Sequence, residues 1–264
     1  MGKIFTIANE KGGVGKTTTV LNLAYYYSNV KQQKTLLLDL DPQHNLTDKF
    51  FYSEESKPIS ISRKVGESNS ISLFDEDFYG KPYVVNNRLH ILGTTAFISA
   101  ENNCPSDEIA NFAENLNKLS EQYDLVFIDC PPSVGNLQFS ALTSCAGVLI
   151  PTEAEADSIK GVDKIIKSVS KIKKTFNPEI MILGILLNKT LKRATQVQDH
   201  FTKMLREQHG CLVFNSEIQR TTKVAEASHF NQSILEYDLK SAEHIQLLSF
   251  LNEFDKKIGV LNEK

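Results

Sequence analysis

The sequence predicts a doubly wound α/β fold: a mostly parallel sheet flanked by helices on both faces. Three observations predict it. Short, almost wholly apolar runs recur along the 264 residues, as strands buried on both faces require. Amphipathic segments with helical spacing separate those runs, the pattern of strand–helix–strand units. The first apolar run also enters a glycine-rich turn that leads directly into a helix, an arrangement suited to holding an anion.

In chain order, residues 3–8 read as the first buried strand, and the glycines after Lys11 permit a tight turn. From Thr17 onward, Val20, Leu21, Leu23 and Ala24 fall on one helical face. Residues 35–40 form a second apolar strand, while residues 53–87 are polar, serine-rich and read as loops and short helices. Residues 89–92 are a strand, 107–122 an amphipathic helix and 125–128 a strand that ends in a carboxylate. Two more buried strands, 147–150 and 180–187, bracket a helix over 159–174. Helices over 194–208 and 241–257 complete the chain, the last with Ile245, Leu248, Leu251 and Phe254 as its apolar stripe. No repeat or linker divides the chain, so residues 1–264 are expected to form a single domain, with no helix-turn-helix module ahead of it.

Composition narrows the function. Hydrophobic content of 41% and charged content of 23% are ordinary for a globular protein. A net charge of -3 gives no global attraction to nucleic acid, so such binding requires a local basic patch. The 4 cysteines and 6 histidines show no metal-ligand spacing, which suits reduced packing residues of a cytoplasmic protein. No run approaches transmembrane length, and the chain opens on a strand rather than on a signal peptide.

The chemistry is concentrated in three places. Backbone N–H groups of Gly12, Gly13, Val14 and Gly15, with Thr18 at the helix start, are expected to cradle phosphates. Lys16 reaches the terminal phosphates, and the Thr17 hydroxyl suits Mg²⁺. Asp39 and Asp41 close the second strand on the same side, at the carboxyl edge where α/β folds bind ligands. Asp41 is placed to orient a water for attack on a γ-phosphate, and Asp39 is expected near the metal. Asp129, on the rigid strand 125–128, is the third metal candidate. Asn188 ends another strand, where its amide could read both donor and acceptor sites on an adenine edge or could simply make a turn.

The run Lys11-Gly12-Gly13-Val14-Gly15-Lys16-Thr17 departs from the usual Walker A pattern: Glu10 replaces its first glycine and Lys11 adds a lysine. It resembles the deviant Walker A sequence of the ParA/MinD family of P-loop ATPases. The run from Asp39 to Thr47 resembles that family's first switch in its ParA form, and Asp129-Cys130-Pro131-Pro132-Ser133 resembles its second. Residues 151–155 resemble its P-x-Q-x-E segment, with Glu153 in place of glutamine. Residues 218–227 resemble its I-P-R segment, with Gln219 in place of proline. Together the resemblance runs from Lys3 to about Leu251.

This resemblance implies an ATPase using ATP and Mg²⁺, with Lys16 and Asp41 catalytic and Lys11 completing the partner subunit's site in an ATP-sandwich homodimer. It implies the small, Soj-like kind of partition ATPase, cytoplasmic and associated with the nucleoid. Its dimer would bind double-stranded DNA without sequence preference, and a ParB-like centromere-binding protein would stimulate hydrolysis. Between Lys189 and Lys223 basic residues outnumber acidic ones; Arg206, Arg220 and Lys223 are the first candidates for DNA contact, ahead of Lys192, Arg193 and Lys240. The alternative is a MinD-like ATPase that binds membrane through a terminal amphipathic helix. The mixed charges Glu243, Glu253, Asp255, Lys256 and Lys257 on the last helix oppose that reading. An iron–sulfur carrier of the same fold would need a second cysteine beside Cys130, and none is suitably placed in the sequence.

Overall fold

The computed structural model describes residues 2–51 and 65–259. Its centre is an 8-stranded sheet in the order β3-β4-β2-β5-β1-β6-β7-β8. The strands are β1 (Lys3–Ile7), β2 (Thr35–Asp39), β3 (Tyr83–Asn86), β4 (Leu89–Leu92), β5 (Leu125–Asp129), β6 (Gly147–Thr152), β7 (Met181–Thr190) and β8 (Val213–Gln219). All neighbouring pairs are parallel except β3 with β4. The doubly wound fold expected from the sequence is therefore present.

Alternation along the strands feeds two cores. In β1, Phe5 and Ile7 enter one cluster and Ile4 enters the other, joined by Ala8 just beyond the strand. The first face is covered by α1 (Lys16–Tyr25) and the terminal helix α9 (Ala242–Gly259), through Val20, Leu23, Phe250 and Phe254. The opposite face carries α3 (Ser106–Ser120), α4 (Asn136–Ser144), α5 (Ala156–Thr175) and α6 (Gln196–His209). These contribute Phe112, Leu116, Leu137, Ala141, Ile159, Val162 and Leu205. Between β2 and β4 lies the short α2 (Asn45–Phe51), and after β8 come α7 (Thr222–His229) and α8 (Ile234–Tyr237).

Three expectations need correction. Residues 83–86, expected as loop, form the antiparallel edge strand β3; its residues are largely exposed and offer no apolar run. Residues 53–64 of that loop lie outside the described residues. Strand β8 has no counterpart among the expected elements, because only Val213 and Phe214 are buried in it. In the last helix the buried stripe is Leu247, Phe250, Leu251 and Phe254, with Ile245 66% exposed; the true stripe is offset from the one the spacing predicts.

Register then positions the chemistry. Asp129 pairs with Ile7 on one side and with Asp39 on the other. The three central strands therefore end at one level, which delivers the glycine loop and both aspartate-bearing loops to one carboxyl edge.

Candidate phosphate and metal site

The loop after β1 is fixed before any ligand is considered. Asn9 Nδ2 donates to the Pro151 carbonyl at 2.8 Å, and Asn9 Oδ1 accepts from the Lys11 N–H at 2.9 Å. This ties the start of the loop to the end of β6. Gly15, with φ 93°, caps α1 in the left-handed region that strains residues bearing a Cβ. A Cβ there would also run into the Asn188 side-chain amide. Any substitution of Gly15 thus meets both a conformational and a steric cost.

Lys16 is buried, and its ammonium donates to the Lys11 carbonyl at 3.2 Å. Burial pulls its pKa below the usual lysine value, opposed by the charges of Asp129 and Asp41. Thr17 Oγ1 donates to Asp129 Oδ2 at 2.7 Å, so the two expected metal ligands meet in space. Asp129 Oδ1 is buried without a hydrogen-bond partner. Burial, then the neighbouring Asp39, hold the Asp129 carboxyl well above the ordinary range. An orphaned carboxylate oxygen beside a hydroxyl, in a cluster with more carboxylates than lysines, has the chemistry a hard divalent cation satisfies. The residues present fit Mg²⁺.

The same electrostatics gives a stability prediction. Asp129→Asn removes a buried negative charge that is only partly compensated, so the nucleotide-free chain is expected to melt higher, by about 2–4 °C per kcal/mol relieved. Magnesium-dependent hydrolysis should be lost in the same variant. Calorimetry checks the first part, and a melting temperature at or below that of the wild type would contradict it.

Asp39, expected near the metal, is engaged within its own loop. Its Oδ2 accepts from the Thr47 N–H at 2.9 Å and the Thr47 hydroxyl at 2.7 Å, and its Oδ1 accepts from the Asp41 N–H at 3.0 Å. Both oxygens are engaged in shaping the loop between β2 and α2. Burial still pushes its pKa to about 6, against the pull of those donors. Asp41 follows, its Oδ1 accepting from the Gln43 N–H at 3.0 Å. It lines one cavity of about 730 Å³ together with Gly12, Gly13, Gly15, Lys16, Thr17 and Thr18.

A second cavity of about 490 Å³ lies against the other side of Gly15 and Thr18, lined by Asn188, Leu186, Ile218, Val224 and Phe250. Asn188 lines this cavity and not the first, its Nδ2 donating to the Val14 carbonyl at 2.8 Å. Gln219, at the family-departing position, lines this second cavity too. Val14 is buried, and its carbonyl is taken by Asn188.

Lysine side chains surround the loop. Lys11 is ion-paired with Glu155 of the same chain, and Lys164 reaches Glu10 at 2.8 Å. Lys189 contacts both the Gly13 carbonyl and Glu153. By charge alone Lys189 belongs with the basic surface, yet the structure places it at the phosphate loop. Its neighbour Asn188 is the available signal, but nothing in the sequence announces the backbone turn that swings Lys189 inward.

The basic candidates divide. Arg206 is paired with Glu217 at 2.9 Å and donates to the Phe214 carbonyl, while Lys223 is paired with Asp238 at 2.6 Å. Arg220, Lys192, Arg193 and Lys240 are exposed. Among the described residues, none of those four enters an ion pair. The Arg220 N–H donates to the Thr190 carbonyl, which sets Arg220 beside the Leu191–Thr195 loop that carries Lys192 and Arg193. The cysteines Cys104, Cys130, Cys145 and Cys211 are all free.

Comparison with known proteins places the chain in a family. The AAA domain family matches residues 2–182. The sporulation initiation inhibitor protein Soj of Bacillus subtilis is 31% identical over 248 residues, 91% of this chain and 93% of that one. The chromosome-partitioning ATPase Soj of Thermus thermophilus is 32% identical over 88% of this chain and 86% of its own. Among solved structures, a putative plasmid partition protein of Borrelia burgdorferi bound to AMPPNP superposes with a TM-score of 0.79 at 23% identity, covering 97% of this chain and 100% of that one.

Proposed function

The chain belongs to the ParA/Soj family of P-loop ATPases, and from that premise we propose that it is a partition ATPase whose ATP-bound dimer holds DNA. The observation that carries this reading is the convergence of Lys16, Thr17 and Asp41 on one cavity, with Asp129 bonded to Thr17 behind it. Gly12, Gly13, Gly15 and Thr18 present backbone to the phosphates, and Lys16 neutralises the β- and γ-oxygens. Thr17 and Asp129 would hold Mg²⁺, which spreads charge from the transferring phosphoryl group. Asp41 orients the attacking water, and Asp39 serves as the support of Asp41 rather than as a metal ligand, since its oxygens already hold Thr47 and the Asp41 N–H.

Lys11 would act in the second subunit's site. In the single chain it is held by Glu155, so dimerisation must exchange that ion pair for contact with a phosphate across the interface. Hydrolysis then weakens the dimer, which makes the protein a slow switch, cytoplasmic and carried on the nucleoid. A ParB-like partner would set the rate of release. The chain would work as one ATPase domain over residues 1–264.

For DNA, the ion pairs of Arg206 and Lys223 move the weight to Lys192, Arg193 and Arg220. Reversing those three to glutamate is expected to weaken ATP-dependent binding equally on unrelated duplexes. The salt dependence should flatten by about one counterion for each phosphate no longer neutralised. Arg206→Glu and Lys223→Glu, which set like charges beside Glu217 and Asp238, should lower the melting temperature instead. Fluorescence anisotropy across a salt series checks this, and an unchanged slope in the triple variant would return these lysines and arginines to a solvated face.

Membrane docking is the competing reading. Among the described residues no helix is long and apolar enough to cross a membrane, and α9 uses Leu247, Phe250, Leu251 and Phe254 in the core. The deciding experiment is co-sedimentation with DNA and, separately, with anionic liposomes, each with ATP, ADP and no nucleotide. ATP-dependent pelleting with DNA alone is expected; ATP-dependent pelleting with liposomes alone would overturn the partition reading.

A further inference from the structure

Strands β6 and β7 run side by side; Asn188 and Lys189, near the end of β7, bond the phosphate loop, and Glu153, just beyond β6, is paired with Lys189. Lys189 has φ 54°, a left-handed conformation that strains a residue with a Cβ. That turn is held by the Lys189 N–H donating to Asn188 Oδ1 at 2.9 Å. It carries the lysine ammonium back to the Gly13 carbonyl and to Glu153 Oε1, the latter at 3.2 Å. Asn188 Nδ2 takes the next carbonyl, that of Val14, at 2.8 Å. Two consecutive carbonyls of the loop are thus fixed by two consecutive residues of β7.

Each carbonyl shares a planar peptide with the following N–H, so fixing the Gly13 and Val14 carbonyls fixes the directions of the Val14 and Gly15 N–H groups. Those N–H groups are donors on which the anion depends. We propose that Lys189, aimed by Glu153, is a positioning residue for bound nucleotide, pinning the phosphate loop through the Gly13 carbonyl so that nucleoside triphosphate is released slowly. This role rests on the ATP-binding reading of the loop. It also gives Glu153 a function: a carboxylate there orients the lysine with its charge, which a glutamine could do only as a neutral acceptor.

The left-handed backbone supplies a discriminating variant. Lys189→Gly removes the ammonium and relieves the strain, so the nucleotide-free chain should melt at or above the wild-type temperature. Release of a fluorescent ATP analogue, followed by stopped flow, should nevertheless accelerate about tenfold, the effect of one missing charge-assisted hydrogen bond. Glu153→Gln should accelerate release less, Lys189→Arg should restore part of the retention, and the Lys189→Gly/Glu153→Gln pair should release no faster than Lys189→Gly alone. Release from Lys189→Gly at the wild-type rate, or additive effects in the pair, would overturn the proposal. If Lys189→Gly does not fold, Glu153→Gln decides, and wild-type release from that variant is then the contrary result. A wild-type chain that binds none of the analogue would sink the ATP reading itself, whereas wild-type binding with unaltered release in these variants sinks only the clamp.

Discussion

Lys16→Ala is expected to abolish measurable ATP binding while leaving the fold intact. Lys16 is the cation enclosed by the loop, buried and flanked by Asp129 and Asp41. Its removal deletes about two charge-assisted hydrogen bonds to the terminal phosphates, roughly 3–6 kcal/mol, or about 10²–10⁴ in Kd. The side chain's bond to the Lys11 carbonyl is long enough that the nucleotide-free melt should move little. Calorimetric titration with ATP reads the affinity, and circular dichroism reads the fold. Wild-type affinity in a folded variant would mean that the glycine loop is not a phosphate cradle.

The second large effect concerns the chemical step alone. Asp41→Ala removes the carboxylate proposed to hold the attacking water, so hydrolysis should fall by about 10²-fold or more. ATP affinity should stay near the wild-type value, because a group that acts on the water contributes little to ground-state binding. With hydrolysis stopped, the ATP dimer should accumulate. Asp41 lines the cavity and its carboxylate caps the Gln43 N–H, so the substitution leaves Asp39 and Thr47 to hold the loop. Single-turnover hydrolysis separates the two effects. A variant that hydrolyses at the wild-type rate would remove Asp41 from the mechanism.

The sheet is legible in the sequence wherever strands are buried on both faces. Residues 35–39, 125–129 and 147–152 are buried throughout, and each reads as a nearly unbroken apolar run. Legibility ends at the sheet's edges. Strand β3 is mostly exposed and β8 is buried only at its start, so neither carries the pattern that announces a strand. The site divides in the same way. Lys16, Thr17 and Asp129 are readable because a glycine loop and a strand end fix their positions locally. The role of Asp39 is not readable, since it depends on Thr47, a hydrogen-bonding partner contributed by the next helix. The pairing of Arg206 and Lys223 with Glu217 and Asp238 does not follow from charge counting, because it depends on how β8 and α7–α8 are packed. Lys189 is hidden for a third reason: a single left-handed residue redirects it from solvent to the loop.

In the proposed cycle the γ-phosphate joins two chains, and the joined form holds DNA. Sedimentation velocity with a labelled duplex tests this most directly, comparing ATP, ADP and no nucleotide on the Asp41→Ala chain. A species of twice the chain mass is expected with ATP alone, with duplex co-migrating with that species only. A chain that stays monomeric with ATP, or that carries the duplex equally well with ADP, would contradict it.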